Sequence, residues 1–226
     1  VIVAEFDRFA GRYRDILDEG VRASGESSEY FADHKARYVA RVLGADFGGK
    51  ILDYGCGVGL VASALAALMP RAALHGFDPS LESIGRVPRE VAARGRFTAD
   101  AGALDGDYDA VVIANVMHHV APCERQGTMD ALAARLARGG RLVVFEHNPL
   151  NPATRWVVSH CPLDDGAVLL RRRETERYLT GAGLTLDRTD YIVFFPRALA
   201  ALRPLEPRLA WLPLGAQYAV VAHRHG

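Results

Sequence analysis

Lys50-Ile-Leu-Asp-Tyr-Gly-Cys-Gly-Val-Gly59 is a short apolar run ending in glycines at alternate positions, followed directly by the helical pattern of Leu60 to Met69. A run of this length bounded by glycine reads as a buried strand. Gly55, Gly57 and Gly59 permit a tight turn and a close approach of a ligand to the backbone. The next strand candidate, Ala73 to Phe77, ends at Asp78-Pro79. That places Asp78 roughly 20 positions after Gly55, where an acid can accept both ribose hydroxyls of an adenosine-bearing ligand. The dinucleotide fingerprint G-x-G-x-x-G requires a third glycine where this chain has Leu60. Asp53, at the strand end facing the loop, would repel a pyrophosphate but can pair with a ligand ammonium. The loop therefore favours a nucleoside that carries an amino acid.

Outward from this unit, short apolar runs alternate with helical patterns, the rhythm of a mainly parallel, doubly wound α/β sheet. The strands expected are Ile51 to Tyr54, Ala73 to Phe77, Arg96 to Ala99, Ala110 to Ala114, Arg141 to Glu146, Leu184 to Val193 and Gln217 to His223. Helices fit between them at Leu60 to Met69, Leu81 to Ala93, Arg125 to Ala137 and Arg172 to Thr180. Ahead of the sheet, Phe6, Phe9, Tyr13, Ile16 and Leu17 repeat at helical spacing, as do Tyr30, Phe31, His34, Tyr38 and Val42. Two N-terminal helices over residues 1–47 should thus cap a core over 48–226. Two insertions break the rhythm. Residues 148–170 open as an Asn-Pro loop, and 194–215, with four prolines, cannot form one straight helix.

A chain of 226 residues suits one domain of this class. Its 27 basic and 27 acidic side chains leave no net field that would draw it to nucleic acid or to an anionic membrane. Three widely spaced cysteines fit reduced thiols in a cytoplasmic protein. No apolar run approaches the roughly 20 residues of a membrane-spanning helix. Nothing in the sequence sets an oligomeric state.

Together these features resemble the class I S-adenosylmethionine-dependent methyltransferases. Asp53-Tyr-Gly-Cys-Gly-Val-Gly59 is similar to the family's first motif, and Asp78 to its second acid. The resemblance implies a seven-stranded Rossmann-like sheet with an antiparallel edge at the last strands. It implies S-adenosylmethionine as cofactor and S-adenosylhomocysteine as product. It also implies that Asp100-Ala101 lie beside the adenine, that Asn115-Val116 lie against the methionine part, and that Tyr13 closes over the site. The N/D-P-P-aromatic tetrapeptide of nucleic-acid methylating relatives is missing after the fourth strand, where Asn115-Val-Met-His stands. A small-molecule acceptor is expected.

Methyl transfer from a sulfonium needs alignment and, for a hydroxyl acceptor, removal of a proton. Candidates should lie at the carboxyl ends of strands. These are His118 and His119 after the fourth strand and Glu146-His147 after the fifth. A neutral imidazole can take the proton, and a carboxylate can orient it or hold the acceptor. His119, His147 and Glu146 are therefore the catalytic candidates, and O-methylation is the expected reaction. C-methylation of a quinone-like or lipid-linked acceptor, N-methylation, a nicotinamide-dependent oxidoreductase and a non-catalytic cofactor-binding scaffold are the alternatives. The histidines and cysteines from His118 to Cys161 match neither paired zinc ligands nor an acid-rich magnesium set, so no metal is expected. The apolar side chains from Phe194 to Leu214 suit a lid over an aromatic or lipid-linked acceptor, or a cover on the sheet edge or a dimer face. Arg171-Arg-Arg173 reads as solvated helix surface.

Overall fold

The computed structural model describes residues 7, 9–44 and 46–226, so Phe6 of the first helical pattern lies outside the described residues. Seven strands form one sheet: β1 (Lys50–Tyr54), β2 (Ala73–Phe77), β3 (Phe97–Thr98), β4 (Tyr108–Ala114), β5 (Leu136–His147), β6 (Thr185–Ile192) and β7 (Gln217–His223). Their spatial order is β3-β2-β1-β4-β5-β7-β6. The ladders from β3 to β5 are parallel, while β7 runs antiparallel to both of its neighbours. This is the doubly wound sheet, with the antiparallel edge, that the resemblance implies. The order reverses between β1 and β4, and that switch point, at the carboxyl ends of the strands, is where open α/β sheets bind ligands.

The alternation of side chains along a strand sends successive residues to opposite faces. On one face Leu52, Val111, Ile113, Leu142, Val144, Tyr218 and Val220 pack with α6 (Arg125–Arg135) and α8 (Arg172–Gly181). On the other, Ile51, Leu74, Val112, Val143, Phe145 and Val221 pack under α2 (Ser28–Leu43) and α3 (Leu60–Leu68). Both faces are covered, so the central strands read as continuous apolar runs. The N-terminal segment, a short 3-10 turn leading into α1 (Tyr13–Val21) and then α2, lays its apolar side over the sheet's carboxyl rim, where Ile16 packs with Cys161 and Leu163.

One expectation changes, and the two insertions gain their detail. The single helix over Leu81 to Ala93 is two short ones, α4 (Leu81–Ile84) and α5 (Arg89–Ala92). Pro88 causes the break, because it has no N–H to donate and sits as the N-cap of the second piece. The insertion at 148–170 holds a helix, α7 (Pro152–His160), started by the Asn151 side chain accepting the Thr154 N–H at 3.0 Å with proline at the first helical position. The segment 194–215 is a 3-10 stretch, Arg197–Leu205, broken at Leu199 and followed by α9 (Glu206–Leu209), in keeping with its prolines.

Candidate functional site

Where β1 and β4 part, a cavity opens against the N-terminal helices. It is lined by Asp53 and Gly55 from the end of β1, Asn115 after β4, His147 ending β5, Gln217 starting β7, and Tyr13 and Lys35 from α1 and α2. His119, Asp164 and Cys161 complete its wall. The parallel sheet makes this convergence, since it brings the ends of β1, β4 and β5 to one rim, and the antiparallel β7 brings its beginning there.

The glycine loop folds back on β2. Gly55 and Cys56 donate their N–H groups to the Phe77 carbonyl at 2.7 and 2.9 Å. Gly55 lies at φ +76°, and a Cβ on it would run into the Val116 side chain. Gly57, at φ +51°, passes under the Tyr13 ring, and its N–H donates to Asp78 Oδ2 at 2.8 Å. Asp78 Oδ1 accepts the Ser80 N–H at 2.9 Å. Each carboxylate oxygen keeps acceptor capacity for a hydroxyl. Gly57, Asp78, Pro79 and Val116 stand beside the cavity without lining it, and Gly59 caps α3. Asp100 stands on the surface, accepting the Gly102 N–H at 2.8 Å at the start of the turn that holds Ala101, and neither lines the cavity.

Four buried polar atoms make no hydrogen bond among the described residues: Ser28 Oγ, Asp53 Oδ2, Asn115 Nδ2 and Gln217 Oε1. All four belong to residues lining this cavity. Buried polar groups are almost always satisfied, so the cluster marks a place built for a polar ligand. Asn115 adds backbone strain at φ +58°. Burial, with the charge of Asp78 adding, pushes the Asp53 carboxyl up to about 7. Lys35, also buried, is pushed down to about 8 by burial, against the pull of Glu146 and Asp53.

Behind this cavity lies a string of charges. His118 Nδ1–H donates to Glu146 Oε2 at 2.6 Å and Nε2–H to Asp164 Oδ1 at 3.3 Å. Burial lowers the affinity of His118 for a proton, but the two carboxylates outweigh it and hold the imidazole up at about 9, a cation at neutral pH. The other Glu146 oxygen accepts the Val116 and Met117 N–H groups at 3.1 and 2.7 Å. Glu146 is thus fully buried, lines no part of the cavity and orients His118 and the loop after β4. His119 and His147 do reach the cavity, and burial plus the His118 charge push each down to about 4. Ligand atoms of His118, His147 and Asp164 lie within 4.8 Å of one another. Both nitrogens of His118 are also within hydrogen-bonding distance of carboxylates, which makes the string an ion-pair network.

Sequence reasoning passed over Lys35, Gln217 and Asp164. Lys35 did leave a signal, a lysine among Ala32, Ala36 and Val39 on the apolar face of α2. Gln217 and Asp164 left none, because a glutamine opening a strand and an aspartate in a loop are ordinary.

Known proteins match this chain in sequence and in fold. A family model described as a methyltransferase domain matches residues 27–189. A ubiquinone/menaquinone biosynthesis C-methyltransferase of Syntrophotalea carbinolica is 33% identical over 156 residues, 65% of this chain and 62% of the relative. The chain therefore spans about three fifths of the length of that curated relative. Among solved structures, a TehB-like SAM-dependent methyltransferase from Corynebacterium glutamicum superposes with a TM-score of 0.62 at 18% identity, covering 99% of both chains. A magnesium protoporphyrin IX methyltransferase from Synechocystis PCC 6803, solved with bound SAH, gives 0.64 at 19% identity, over 95% of this chain and 93% of the other.

Proposed function

The chain belongs to the class I S-adenosylmethionine-dependent methyltransferase family, and from that premise we propose that it transfers a methyl group to an oxygen of a small-molecule acceptor. The observation that carries the cofactor part of this reading is that Asp53, whose Oδ2 has no partner, and Lys35 line one buried cavity beside the glycine loop, while the neutral His147 on the same wall supports an oxygen acceptor. A carboxylate and an ammonium set together in low dielectric complement the two charged ends of an α-amino acid. The residues fit the cofactor in its other parts as well. Gly55 and Gly57 leave its path clear of side chains, Asp78 offers acceptors to a ribose, and Asn115 Nδ2 offers an unused donor.

When bound, S-adenosylmethionine supplies an electrophilic methyl on a positively charged sulfur. The protein's part is alignment, exclusion of water and handling of one proton. Tyr13 and Phe31 close the cavity from the helical side. His147, neutral at physiological pH, would hold the acceptor's hydroxyl and take its proton during methyl transfer. His119, the other neutral imidazole on the wall, is the alternate base. Asp100-Ala101 and Val116 are assigned to the adenine and methionine edges on family resemblance.

A second reading, C-methylation of a quinone-like acceptor, is favoured by the name of the Syntrophotalea relative. Methylation of a ring carbon also sheds one proton, so the two readings differ in the atom that carries the new methyl, which analysis of the product reads directly. Calorimetric titration with S-adenosylmethionine, S-adenosylhomocysteine and NAD tests the shared premise. Both sulfur ligands should bind at micromolar levels, Asp78→Ala should abolish binding, and NAD should not bind. Binding of NAD alone would overturn the reading.

A further inference from the structure

We propose that a second cavity, between α2, α7 and the segment after β6, is the acceptor chamber, and that it selects an uncharged, ring-bearing molecule with a hydroxyl at its inner end. This rests on the methyltransferase reading above. The cavity measures about 300 Å³, at the small end of the range for ligand sites. It adjoins the cofactor cavity, and Phe31, Val157, His147 and Gln217 line both. His147 is the one titratable side chain on both walls among the described residues. An acceptor in this chamber would therefore meet the base where it meets the methyl donor.

Aromatic rings make up much of the chamber: Tyr30 and Phe31 from α2, Trp156 from α7, and Phe194 and Phe195 after β6. Its polar side chains are largely committed elsewhere. Glu26 is bound to Arg203 at 2.6 Å, and that guanidinium lies 4.4 Å from the Tyr30 ring centroid. Thr154 Oγ1 donates to the Ala216 carbonyl at 2.8 Å, Asn151 Nδ2 to the Leu214 carbonyl at 2.7 Å, and Ser24 Oγ to the Val21 carbonyl at 2.6 Å. A carboxylate, phosphate or ammonium on the ligand would find no countercharge here, and burying it unpaired is costly.

The exception is Gln217, whose side-chain oxygen has no partner although the residue is only 7% exposed. It sits at the throat beside His147 and requires a donor from the ligand. A hydroxyl fills that requirement in the bound acceptor, and rotation about its C–O bond turns the one proton from Gln217 to His147 for transfer. Val193 gives an independent sign that this wall is shaped for an occupant. It is β-branched yet held at φ +61°, and its carbonyl accepts the Ala216 N–H at 2.8 Å. Strain of this kind persists where surrounding structure enforces it, and it gathers at ligand sites.

The test uses the full chain with S-adenosylhomocysteine bound and three probes followed by calorimetry: 1-naphthol, naphthalene and 1-naphthoate. The proposal expects 1-naphthol to bind and the other two to bind at least about tenfold more weakly. Ala153 lines the chamber from an exposed position on α7. Ala153→Trp should therefore fill the chamber and weaken 1-naphthol about tenfold or more while leaving S-adenosylhomocysteine affinity within about twofold. Gln217→Leu should erase the preference for naphthol over naphthalene. Naphthol binding that is absent, or unchanged in Ala153→Trp, or matched by naphthoate, overturns the proposal. Wild-type protein that fails to bind S-adenosylhomocysteine overturns the methyltransferase reading instead.

Discussion

Glu146 accepts the Nδ1–H of His118 at 2.6 Å in a place that neither solvent nor the cofactor cavity reaches. Three donors converge on this one carboxylate, from β4's following loop to β5's end, so the pair ties together the two strands that carry Asn115 and His147. Removing one partner of a buried pair leaves an uncompensated charge.

Glu146→Gln should lower unfolding free energy by about 3–5 kcal/mol near neutral pH. The sign with pH follows from His118, whose folded value of about 9 lies above its ordinary 6.5. Stabilisation from the pair is fully present below 6.5 and is lost as pH rises through about 9. Denaturant melts of wild type and variant should therefore converge on the alkaline side. A constant gap across that window would show that the pair does not carry the difference.

The sheet was legible because β1, β2, β4, β5 and β7 are buried on both faces and each is bounded by glycine, proline or a polar turn. The tight turn through Gly55, Gly57 and Gly59 and its closure on Asp78 were legible as well, since backbone at positive φ admits few other residues. The charge string was not. His118-His119 looks like two equal candidates in sequence, and only the turn after β4 decides that His118 faces Glu146 while His119 faces the cavity. The chamber after β6 was equally hidden, because Gln217 and Val193 gain meaning from an unmet hydrogen bond and a strained φ, which sequence pattern does not record.

Asp53 should make cofactor binding pH-dependent. Its carboxyl sits at about 7, raised first by burial and then by Asp78, with the Ala62 N–H and Lys35 pulling the other way. A ligand ammonium pairs with the ionised form, so affinity is present above that value and lost as pH falls through it. Titrations of S-adenosylhomocysteine across this range should show the loss, and Asp53→Asn should weaken binding about tenfold and flatten the curve. A flat wild-type profile would separate Asp53 from the ammonium.

Gly55→Ala and Gly183→Ala form a matched pair. Both positions hold a left-handed backbone, at φ +76° and +78°, so each substitution should cost about 1–3 kcal/mol of stability. At Gly183 nothing lies within 4 Å of the new methyl, whereas at Gly55 it collides with Val116 beside the cavity. Both variants should melt earlier, yet only Gly55→Ala should lose S-adenosylhomocysteine binding. Equal binding by the two would remove the loop from the cofactor site.

The proposed base role of His147 is open to a kinetic test. Burial, then the His118 charge, hold its imidazole at about 4, so it stays neutral across the physiological range and turnover of a phenolic acceptor should lack a histidine inflection near 6.5. His147→Gln should cut kcat by about 100-fold or more while cofactor affinity holds, since a positioned base contributes at least that much to proton removal. His118→Asn removes the neighbouring cation and should let His147 rise, bringing an inflection into the measurable window in protein that still binds S-adenosylhomocysteine. If His147→Gln leaves kcat intact, no proton is being taken there, and the base role passes to His119 or drops out of the account.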